Sequence, residues 1–538
     1  MNKKNSIRSN LILATIILFT GSALAAAAAN TVINPSVIQS AAAINSAANT
    51  TTTVTTTTTS TTAATTTPIK YLIVIFQENI SFDHYFGSYP NAKNSPGEHP
   101  FLALSDTPSI NGLSKTLLNN NTNLVDPFRM DEQDAKTVAS CDNNHTYTAI
   151  QRSYNGGLMD NFVEASGITR DNCSPNQVMG YFDGNTVTAL WNYAQHFAMS
   201  DNFFSTIIGP SLPGHINLVS GQTHGVTPEN IEGETSNGTL IGDLDSLFDD
   251  CSNGTKIIMQ GKNIGDLLKE KHVAWGWFSG GFKPVAITEE GKAICQSSHV
   301  NIAGNNITDY VVHHEPFQYY NSTANPHHLP PTSINMIGKK DQANHQYDLS
   351  DFWNAVESGN LPSVSFLKAP YYQTGHAKAS DPIDEQVFLV NTINRLQNLP
   401  QWNSTAVIIA YDDSGGWHDH VMPPIVSQSN DREYDALLGP EGLCGHAPPA
   451  TYQDRCGYGG RLPILIISPW AKKNYVDHQI IDQTSILRFI EDNWQLGRIG
   501  DQSFDERAGS ISNMFNFTHG HYAKKVLLNS SDGTIVSN

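Results

Sequence analysis

The stretch Tyr71-Leu-Ile-Val-Ile-Phe76 is a short, continuous apolar run, and it decides the fold. Such a run is typical of a strand that is buried on both faces of a parallel sheet. The same signature returns at Ala406–Ala410 and at Leu462–Ile467. Helical apolar spacing occurs between and after these runs, at Glu385–Leu396 and at Gln483–Asn493. The alternation predicts an α/β fold, in which helices cover both faces of a mostly parallel central sheet.

The composition is typical of a large globular protein with an acidic surface. The chain has 538 residues, of which 39% are hydrophobic and 15% are charged, so it can bury a large core. Its net charge is −19, and about −22 once the basic residues Lys3, Lys4 and Arg8 of the leader are set aside. This charge repels nucleic-acid backbones, so no nucleic-acid partner is predicted. A bound phosphate would need local positive charge, for which a metal ion is the usual source.

The beginning of the chain has the pattern of an export signal followed by a tether. Met1–Ala25 combines a basic head, a short apolar stretch and a small-residue cleavage site, which predicts a signal peptide and a periplasmic or secreted protein. No apolar run approaches the roughly 20 residues that cross a bilayer, so no transmembrane anchor is predicted. Residues 26–67 are rich in Ala and Thr, with 14 threonines in 50–67, and predict a disordered tether. One large domain is expected over 68–520 and a C-terminal tail over 521–538.

The six cysteines fit an oxidising compartment. None of them lies in a CxxC pair, which disfavours a zinc knuckle. An even number in an exported chain predicts disulfides, although the sequence leaves several connectivities open. We expect sequence neighbours to pair, namely Cys141 with Cys173, Cys251 with Cys295, and Cys444 with Cys456.

The middle of the chain, at about 210–350, is rich in Gly, Pro, Asn and aromatic residues. We expect long loops there that cover one edge of the sheet. Aromatic clusters at Trp275–Phe278 and Phe317–Tyr320 are interpreted as core or loop packing. The alternative is that they line a substrate mouth or enclose a choline group.

Polar residues follow two of the apolar runs at the point where each strand should end. Glu78 and Asn79 follow the first run, and Asp412 and Asp413 follow the second. Functional residues of such sheets gather beyond the carboxyl ends of the strands. Oxygen ligands suit a hard or borderline divalent cation, which would also relieve the repulsion between adjacent carboxylates. Ordinary loop solvation and helix capping are the alternative, but two pairs at two strand ends favour the metal.

A third segment, Gly209-Pro210-Ser211-Leu-Pro213-Gly214, predicts a turn that opens a helix, because proline is well tolerated in a first helical turn. Ser211 then lies near a helix N-terminus. There it is either an N-cap or a nucleophile with helix amides available to an anion. The segment alone favours the cap.

Three motifs together resemble the bacterial phosphoesterase family, which unites one group of phospholipases C with periplasmic acid phosphatases. The resemblance runs from about Lys70 to Asn516 with the motifs in the family's order. It implies an alkaline-phosphatase-like three-layer sandwich with long covering loops and a catalytic domain over 68–520. The motifs are Glu78-Asn79-x-Ser81-Phe82-Asp83-His84-Tyr85-Phe86-Gly87, Gly209-Pro210-Ser211-x-Pro213-Gly214 and Tyr411-Asp412-Asp413-x-Gly415-Gly416.

The resemblance implies that Ser211 is a nucleophile that becomes transiently phosphorylated. It also implies one divalent metal ion, with zinc and calcium as candidates, held by Glu78, Asn79, Asp412, Asp413 and the Ser211 oxygen. A neutral hydroxyl is a poor nucleophile, and a bound divalent ion favours its alkoxide while balancing charge on the phosphoryl group.

Histidines complete the implied site. The resemblance points to His145, His376 and His314, with its neighbour His313, as residues that contact the phosphate and protonate the leaving alcohol. Asn79 is a further expected phosphate contact. If the segment around His313 is extended, only one of the two neighbours faces the site, and we prefer His314. A histidine that donates as an imidazolium predicts an acidic optimum, at roughly pH 5–6.

The predicted function is an exported, metal-dependent phosphoesterase that hydrolyses phosphate esters through a phosphoserine. An acid phosphatase is the first hypothesis. Asp413, Ser211 and Gly214-His215 stand where the phospholipase branch commonly has Glu, Thr and Asn-Arg. A phospholipase C acting on phosphatidylcholine-type lipids is the alternative. A non-catalytic, surface-tethered binding module, suggested by the Thr-rich segment and the long loops, is a lesser alternative.

Overall fold

A nine-stranded sheet forms the centre of the protein. The computed structural model describes residues 64–169, 173–437, 444, 454–518 and 525–536, so the expected signal peptide and most of the expected tether lie outside the described residues. The strand order is β4-β3-β5-β1-β6-β7-β2-β8, and β9 also pairs with β2. In chain order these strands are β1 Tyr71–Gln77, β2 Ala198–Phe204, β3 Trp275–Ser279, β4 Gln346–Asp348, β5 Val364–Lys368, β6 Thr405–Tyr411, β7 Arg461–Ile467, β8 Tyr475–Asp477 and β9 Ile481–Asp482.

The sheet is mostly parallel, as predicted. Neighbouring strands run parallel except at β7, which is antiparallel to both β6 and β2. The prediction of a parallel strand at Leu462–Ile467 was therefore wrong. Every residue of β7 is buried, and burial on both faces gives a continuous apolar run whatever the direction of the strand.

Helices cover both faces of the sheet. All residues of β6 are buried as well, so neither face of the sheet centre meets solvent. The helix Ser211–Ser220 packs with the helices Ile264–Glu270 and Thr484–Trp494. The helix Pro382–Gln397 packs with the helices Glu132–Val138 and Thr188–His196, so there are two separate groups of helices. The predicted α/β three-layer fold is thus confirmed. The described α-helices are α1 Phe82–Phe86, α2 Lys115–Asn119, α3 Glu132–Val138, α4 Tyr147–Tyr154, α5 Phe162–Ala165, α6 Thr188–His196, α7 Ser211–Ser220, α8 Ile264–Glu270, α9 Leu349–Glu357, α10 Pro382–Gln397 and α11 Thr484–Trp494.

The two helices expected from apolar spacing are present as α10 and α11. Asp381 caps α10 by accepting hydrogen bonds from the amides of Ile383 and Asp384, both at 2.7 Å. Pro382, at the first helical position, has no amide hydrogen to leave unpaired. Local chemistry therefore fixes where α10 begins.

Both described ends of the chain are tied to these helices. The amide of Thr66 donates to the carbonyl oxygen of Asn493 at 2.9 Å, and the hydroxyl of Thr67 donates to its side-chain oxygen at 2.7 Å. At the other end, the amide of Val526 donates to the side chain of Gln397 in α10 at 2.8 Å. The last residues of the expected tether and part of the expected tail thus contact the domain directly.

The middle of the chain is more structured than predicted. It supplies α7, α8, the edge strand β4 and its neighbour β3, together with small two- and three-stranded sheets. β3 was missed because a five-residue aromatic stretch containing glycine lacks the aliphatic signature of β1. The aromatic residues are core, as expected, since Trp275, Trp277 and Phe317 are fully buried, and a choline cage there is excluded. The small strands of this middle region are Val226–Thr227, Thr235–Ser236, Thr239–Leu240, Asp245–Ser246, Lys256–Met259, Ala286–Ile287, Ala293–Ile294, Ser298–Val300 and Asn306–Thr308. Two further small strands, Phe128–Met130 and Gly180–Phe182, precede it and pair with each other.

The three predicted disulfides are confirmed. Cys141 bonds to Cys173, Cys251 to Cys295 and Cys444 to Cys456, and none of these six cysteines lies in a strand of the central sheet. Within the described part of the chain, no helix combines the length and apolarity that crossing a membrane requires.

Candidate active site

Two neighbouring strands deliver four polar residues to one place. β1 and β6 pair in parallel register up to their last residues, so the chain leaves both strands side by side. Glu78 and Asn79 follow β1, and Asp412 and Asp413 follow β6, and all four are buried. The amide of Asn79 donates to Asp412 Oδ1 at 2.8 Å, and the amide of Asp413 donates to the same oxygen at 2.7 Å. The structure thus brings the two predicted pairs together.

Ser211 enters the same cluster from the start of a helix. It is the first residue of α7, and Pro210, which occupies the capping position, makes no side-chain hydrogen bond to the helix. The Ser211 hydroxyl instead lies 3.0 Å from Glu78 Oε2, 3.3 Å from Asn79 Oδ1 and 3.5 Å from Asp413 Oδ2. The interpretation of Ser211 as an N-cap was therefore wrong, and its oxygen faces the expected ligands.

Two glycines allow this close approach. A Cβ atom at Gly214, in the first turn of α7, would lie 2.4 Å from the carbonyl oxygen of Asp412. A Cβ atom at Gly415 would lie 2.4 Å from the carbonyl oxygen of Asn79, and Gly415 also has a φ of +59°. A side chain at either position would push the helix or the loop away from the strand ends.

The electrostatics of the cluster are unbalanced. Three buried carboxylates, those of Glu78, Asp412 and Asp413, meet one buried ammonium group, that of Lys368, which pairs with Glu78. Burial, followed by the charge of Asp412, holds the pKa values of Glu78 and Asp413 well above the usual range. Asp412 Oδ2 is buried without a hydrogen-bond partner among the described residues.

These residues fit a divalent cation. The excess negative charge and the unpaired Asp412 Oδ2 both call for a positive partner, and carboxylate, amide and hydroxyl oxygens are ligands for hard or borderline ions. Ligand atoms of Glu78, Asp412 and His215 also lie within 4.8 Å of one another, so a nitrogen ligand is within reach.

Three of the four predicted histidines surround the cluster. His314 Nε2 lies 3.3 Å from Glu78 Oε2, and His145 Nε2 lies 3.3 Å from Asn79 Nδ2. The ring of His376 is centred 5.9 Å from that of His145 and 6.4 Å from that of His314. Together they form one wall beside the Ser211 hydroxyl.

His313 is the exception. The segment Val312–His314 is a 3₁₀ turn rather than extended chain, so the reason given for separating the two neighbours does not apply. The ring of His313 is centred 4.7 Å from that of His314, and His313 is half-buried. Among the described residues, no hydrogen bond or ion pair joins it to Glu78, Asn79 or Ser211.

Burial changes the expected proton chemistry of the wall. Desolvation lowers the pKa of His376 and holds that of His314 well below its ordinary value, with the charge of Lys368 next in importance for His314. The imidazolium form expected near pH 6 is therefore disfavoured at these two residues. His145 is partly exposed, and its Nδ1 lies 3.8 Å from Asp142 Oδ1.

One expected anion contact is already occupied. The amide of Leu212, in the first turn of α7, donates to Asp243 Oδ1 at 2.8 Å. Pro213 has no amide hydrogen. The helix therefore offers fewer free amides to a phosphate than the sequence suggested.

The sequence did not identify His215 and Lys368. His215 Nε2 lies 3.3 Å from Glu78 Oε1, and His215 is one helical turn after Ser211, so the four-residue spacing in the predicted helix could have found it. Lys368 is the last residue of β5 and pairs with Glu78. Lys368 could have been identified from the sequence as a lysine that directly follows the short apolar stretch ending at Leu367.

A cation-binding cluster beside a buried serine, at the carboxyl edge of an α/β sheet, is an arrangement suited to phosphoryl transfer. The model of the Phosphoesterase family matches residues 69–497. The chain therefore belongs to the Phosphoesterase family.

The chain is similar to curated proteins named phospholipase C. It is 22% identical to non-hemolytic phospholipase C of Pseudomonas aeruginosa over 84% of this chain and 58% of that protein. It is 25% identical to non-specific phospholipase C6 of Arabidopsis thaliana over 76% of this chain and 63% of that protein. It is 22% identical to phospholipase C A of Mycobacterium tuberculosis over 81% of this chain and 76% of that protein. The chain thus spans less than two thirds of the first two relatives.

Solved structures that match include members of the alkaline phosphatase superfamily. A protein of that superfamily from Vibrio parahaemolyticus is 12% identical, with a TM-score of 0.27 over 69% of this chain and 78% of that one. Murine ectonucleotide pyrophosphatase/phosphodiesterase 5 is 10% identical, with a TM-score of 0.33 over 61% of this chain and 95% of that one. At these TM-scores the likeness carries no weight of its own, and the fold assignment rests on the central sheet.

Proposed function

We propose that the protein is a metal-dependent phosphoesterase in which Ser211 attacks phosphorus and is transiently phosphorylated. The observation that carries this proposal is the Ser211 hydroxyl, which is buried at a helix N-terminus within 3.5 Å of Glu78, Asn79 and Asp413. In the attack the bond from Ser211 Oγ to phosphorus forms and the ester bond to the alcohol breaks. Water then releases phosphate and restores the serine.

Each group in the cluster has a role in this proposal. Glu78, Asn79, Asp412, Asp413 and Ser211 hold one divalent ion. When bound, that ion supplies Lewis-acid stabilisation of charge on the serine oxygen and the phosphoryl group.

The histidine wall provides the remaining contacts. His314 and His376 are buried and neutral, and His314 offers a ring N–H group to a phosphoryl oxygen. The Nδ1–H of His376 already donates to the carbonyl oxygen of Ala377, so His376 lines the phosphate site without a free N–H group. His145 is the proton donor to the leaving alcohol, because it is the member of the wall that is partly exposed and has a carboxylate 3.8 Å away. The side-chain amide of Asn79 also contacts the phosphate.

Depth of the site supports phosphomonoesters as the preferred substrates, which makes the protein an acid phosphatase in type. Ser211 is 1% exposed. A monoester has a single organic substituent on phosphorus, so its phosphoryl group can enter a deep site with the leaving group pointing outward. A diester has two substituents and must place one of them inside.

Phospholipase C activity is the second candidate. The curated relatives bear that name and match three quarters or more of this chain. A non-catalytic binding module has less support, since all five ligand and nucleophile positions are present.

We also propose that the protein is exported. Three disulfides support an oxidising compartment. N-terminal sequencing of protein recovered from the periplasm or medium would test this, with cleavage near Ala25 as the expected result.

A substrate panel tests the activity. A soluble aryl phosphomonoester, an aryl phosphodiester and phosphatidylcholine vesicles are compared at matched enzyme concentration, with and without chelator. We expect the monoester to be cleaved fastest and chelation to abolish turnover. Faster release of diacylglycerol than of phosphate from the monoester at every pH would favour the phospholipase instead, and full activity of metal-free protein would contradict both.

A further inference from the structure

Lys368 holds an unusual position for a lysine. It ends β5, the strand next to β1, and is 1% exposed. Its ammonium donates to the carbonyl oxygen of Phe76 at 3.0 Å and to Glu78 Oε1. Burying an ammonium group is costly unless it is paired, so a lysine that reaches the end of β1 has a specific partner there.

The carboxylate of Glu78 has two different sides. On the Oε2 side lie the Ser211 hydroxyl at 3.0 Å and His314 Nε2 at 3.3 Å. On the Oε1 side lie the Lys368 ammonium and His215 Nε2 at 3.3 Å. The first side faces the expected nucleophile, and the second faces away from it.

The Oε1 side could complete a second metal site that shares Glu78 and Asp412 with the first and adds His215. Ligand atoms of Glu78, His215 and Asp412 lie within 4.8 Å of one another. Asp412 Oδ2 and His215 Nε2 are buried, and in the described chain neither has a hydrogen-bond partner. Two-metal phosphoesterase centres place their ions roughly 3.5–4 Å apart, which a shared carboxylate can bridge.

The charges around Glu78 match a single ion. Three buried carboxylates and the ammonium of Lys368 leave two negative charges, which one divalent cation neutralises. Without the ammonium, three negative charges would remain in a buried place where uncompensated charge is strongly unfavourable.

We propose that the Lys368 ammonium takes the place of a second divalent ion beside Glu78 and His215 and so keeps the centre mononuclear. This inference rests on the proposed function, because it assumes that the Ser211 side of Glu78 binds one metal ion. It deepens that function by assigning the number of ions to one residue.

The test is a metal count. Wild-type protein and Lys368→Gln are saturated with Zn²⁺, freed of loose metal, and analysed for zinc per chain. We expect about one ion in the wild type and about two in the variant, since glutamine removes the charge but keeps a donor for Phe76. A folded variant that still binds one ion would overturn the inference. A wild type that binds no ion would overturn the proposed function instead, and a wild type that binds two would overturn the mononuclear centre.

Two further variants locate the additional ion. Lys368→Gln combined with His215→Ala should return the count to one, because the nitrogen ligand on that side is lost. Lys368→Arg keeps the charge and should also bind one ion. A double variant that still binds two would show that the added ion lies elsewhere, for which Asp142, His145 and His376 offer another group of ligand atoms, and would overturn the assignment.

Folding of the variant is itself informative. If Lys368→Gln folds only when Zn²⁺ is in excess, as followed by near-UV circular dichroism, the metal has replaced the missing charge and the inference is supported. If it stays unfolded with and without Zn²⁺, the ammonium is a structural requirement that an ion cannot replace, and the inference is overturned.

Discussion

Two clusters of buried acidic residues lie near the same edge of the sheet, and they are compensated in opposite ways. The first is the Glu78 cluster, formed by Glu78, Asp412 and Asp413. The second, here called the Asp83 cluster, contains Asp83 in α1, Asp419 and His420 in the loop after β6, and Arg461 at the start of β7. Ligand atoms of Glu78, Asp412 and the neighbouring His215 form a group that could hold a metal ion, and so do those of Asp83, Asp419 and His420.

The Asp83 cluster is balanced by the protein itself. Asp83 Oδ1 accepts from Arg461 Nη2 at 2.9 Å, and Oδ2 pairs with His420 Nδ1 at 2.6 Å. Arg461 Nε donates to Asp419 Oδ2 at 3.1 Å. Although burial acts to raise the pKa of Asp83, His420 and then Arg461 outweigh it and lower that pKa to about 2.

The contrast shows why a group of ligand-type atoms is not by itself a metal site. In the Asp83 cluster a guanidinium already occupies the place of a cation and pairs with both carboxylates, although burial raises the pKa of Asp419. In the Glu78 cluster burial and like charge raise the pKa values of Glu78 and Asp413, and an oxygen of Asp412 is left unpaired. The charges of the Asp83 cluster are balanced within the protein, whereas the Glu78 cluster has an excess of negative charge that a cation would balance.

The largest expected effect separates chemistry from structure. Ser211→Ala should lower turnover of an aryl phosphomonoester by several orders of magnitude, because it removes the attacking oxygen. The melting temperature should hardly change, since Ser211 is not a helix cap. Ser220→Ala, at the other end of α7, loses a hydroxyl that bonds to the carbonyl oxygen of Ile216 and should leave turnover intact. Retention of most activity by Ser211→Ala would remove the serine from its proposed role.

The second effect concerns the Asp83 cluster. Asp83→Asn leaves the buried Arg461 and His420 short of a charge partner, so the free energy of unfolding should fall by about 3–5 kcal/mol. Urea denaturation with metal and with chelator measures this loss, which should be the same in both. A loss that depended on metal would show that the two clusters are not independent.

The third effect concerns the cation. At a metal concentration of about 100 times the Kd, chelation should lower wild-type stability by about 2.7 kcal/mol. In Asp413→Asn the chelator should make little difference, because a ligand is missing. The metal-free variant should be at least as stable as the metal-free wild type, since repulsion between Asp412 and Asp413 is relieved. A less stable metal-free variant would mean that Asp413 is paired by the protein after all.

The smallest effect is on the pH dependence of the free energy of unfolding, to which the two clusters contribute with opposite signs. The depressed pKa of Asp83 stabilises the fold fully above pH 3.8, and roughly 2 kcal/mol of this is lost as the pH falls from 3.8 towards 2. The raised pKa values of Glu78 and Asp413 act oppositely in metal-free protein, since their contribution is present at low pH and lost as the pH rises above about 4. Unfolding of chelated wild type, Asp83→Asn and Asp413→Asn between pH 2 and 8 resolves the two slopes. If the unfolding free energies of Asp83→Asn and Asp413→Asn changed equally with pH, the proposed difference between the two clusters would be refuted.

Much of the Glu78 cluster could be predicted from the sequence, for a physical reason. β1 and β6 are continuous apolar runs, and the residues that follow such runs meet at one edge of a parallel sheet. Glu78, Asn79, Asp412 and Asp413 were therefore predictable as a group.

The rest depends on which strands are neighbours. Lys368 reaches Glu78 because β5 lies beside β1, and Arg461 reaches Asp83 because β7 runs antiparallel to β6. Neither the order nor the direction of strands is written in their hydrophobicity, since burial on both faces gives the same apolar run in either direction.

The glycine at position 214 has a consequence for how this site can change during evolution. Because a Cβ atom there would meet the carbonyl oxygen of Asp412 at 2.4 Å, Gly214 and the end of β6 must change together. The phospholipase branch commonly has an Asn-Arg pair at positions 214 and 215. This chain could not acquire that pair without a change at the end of β6 as well. A lineage that exchanged His215 alone would alter the charge beside Glu78, whereas one that exchanged Gly214 would first have to shift α7, and with it the Ser211 hydroxyl.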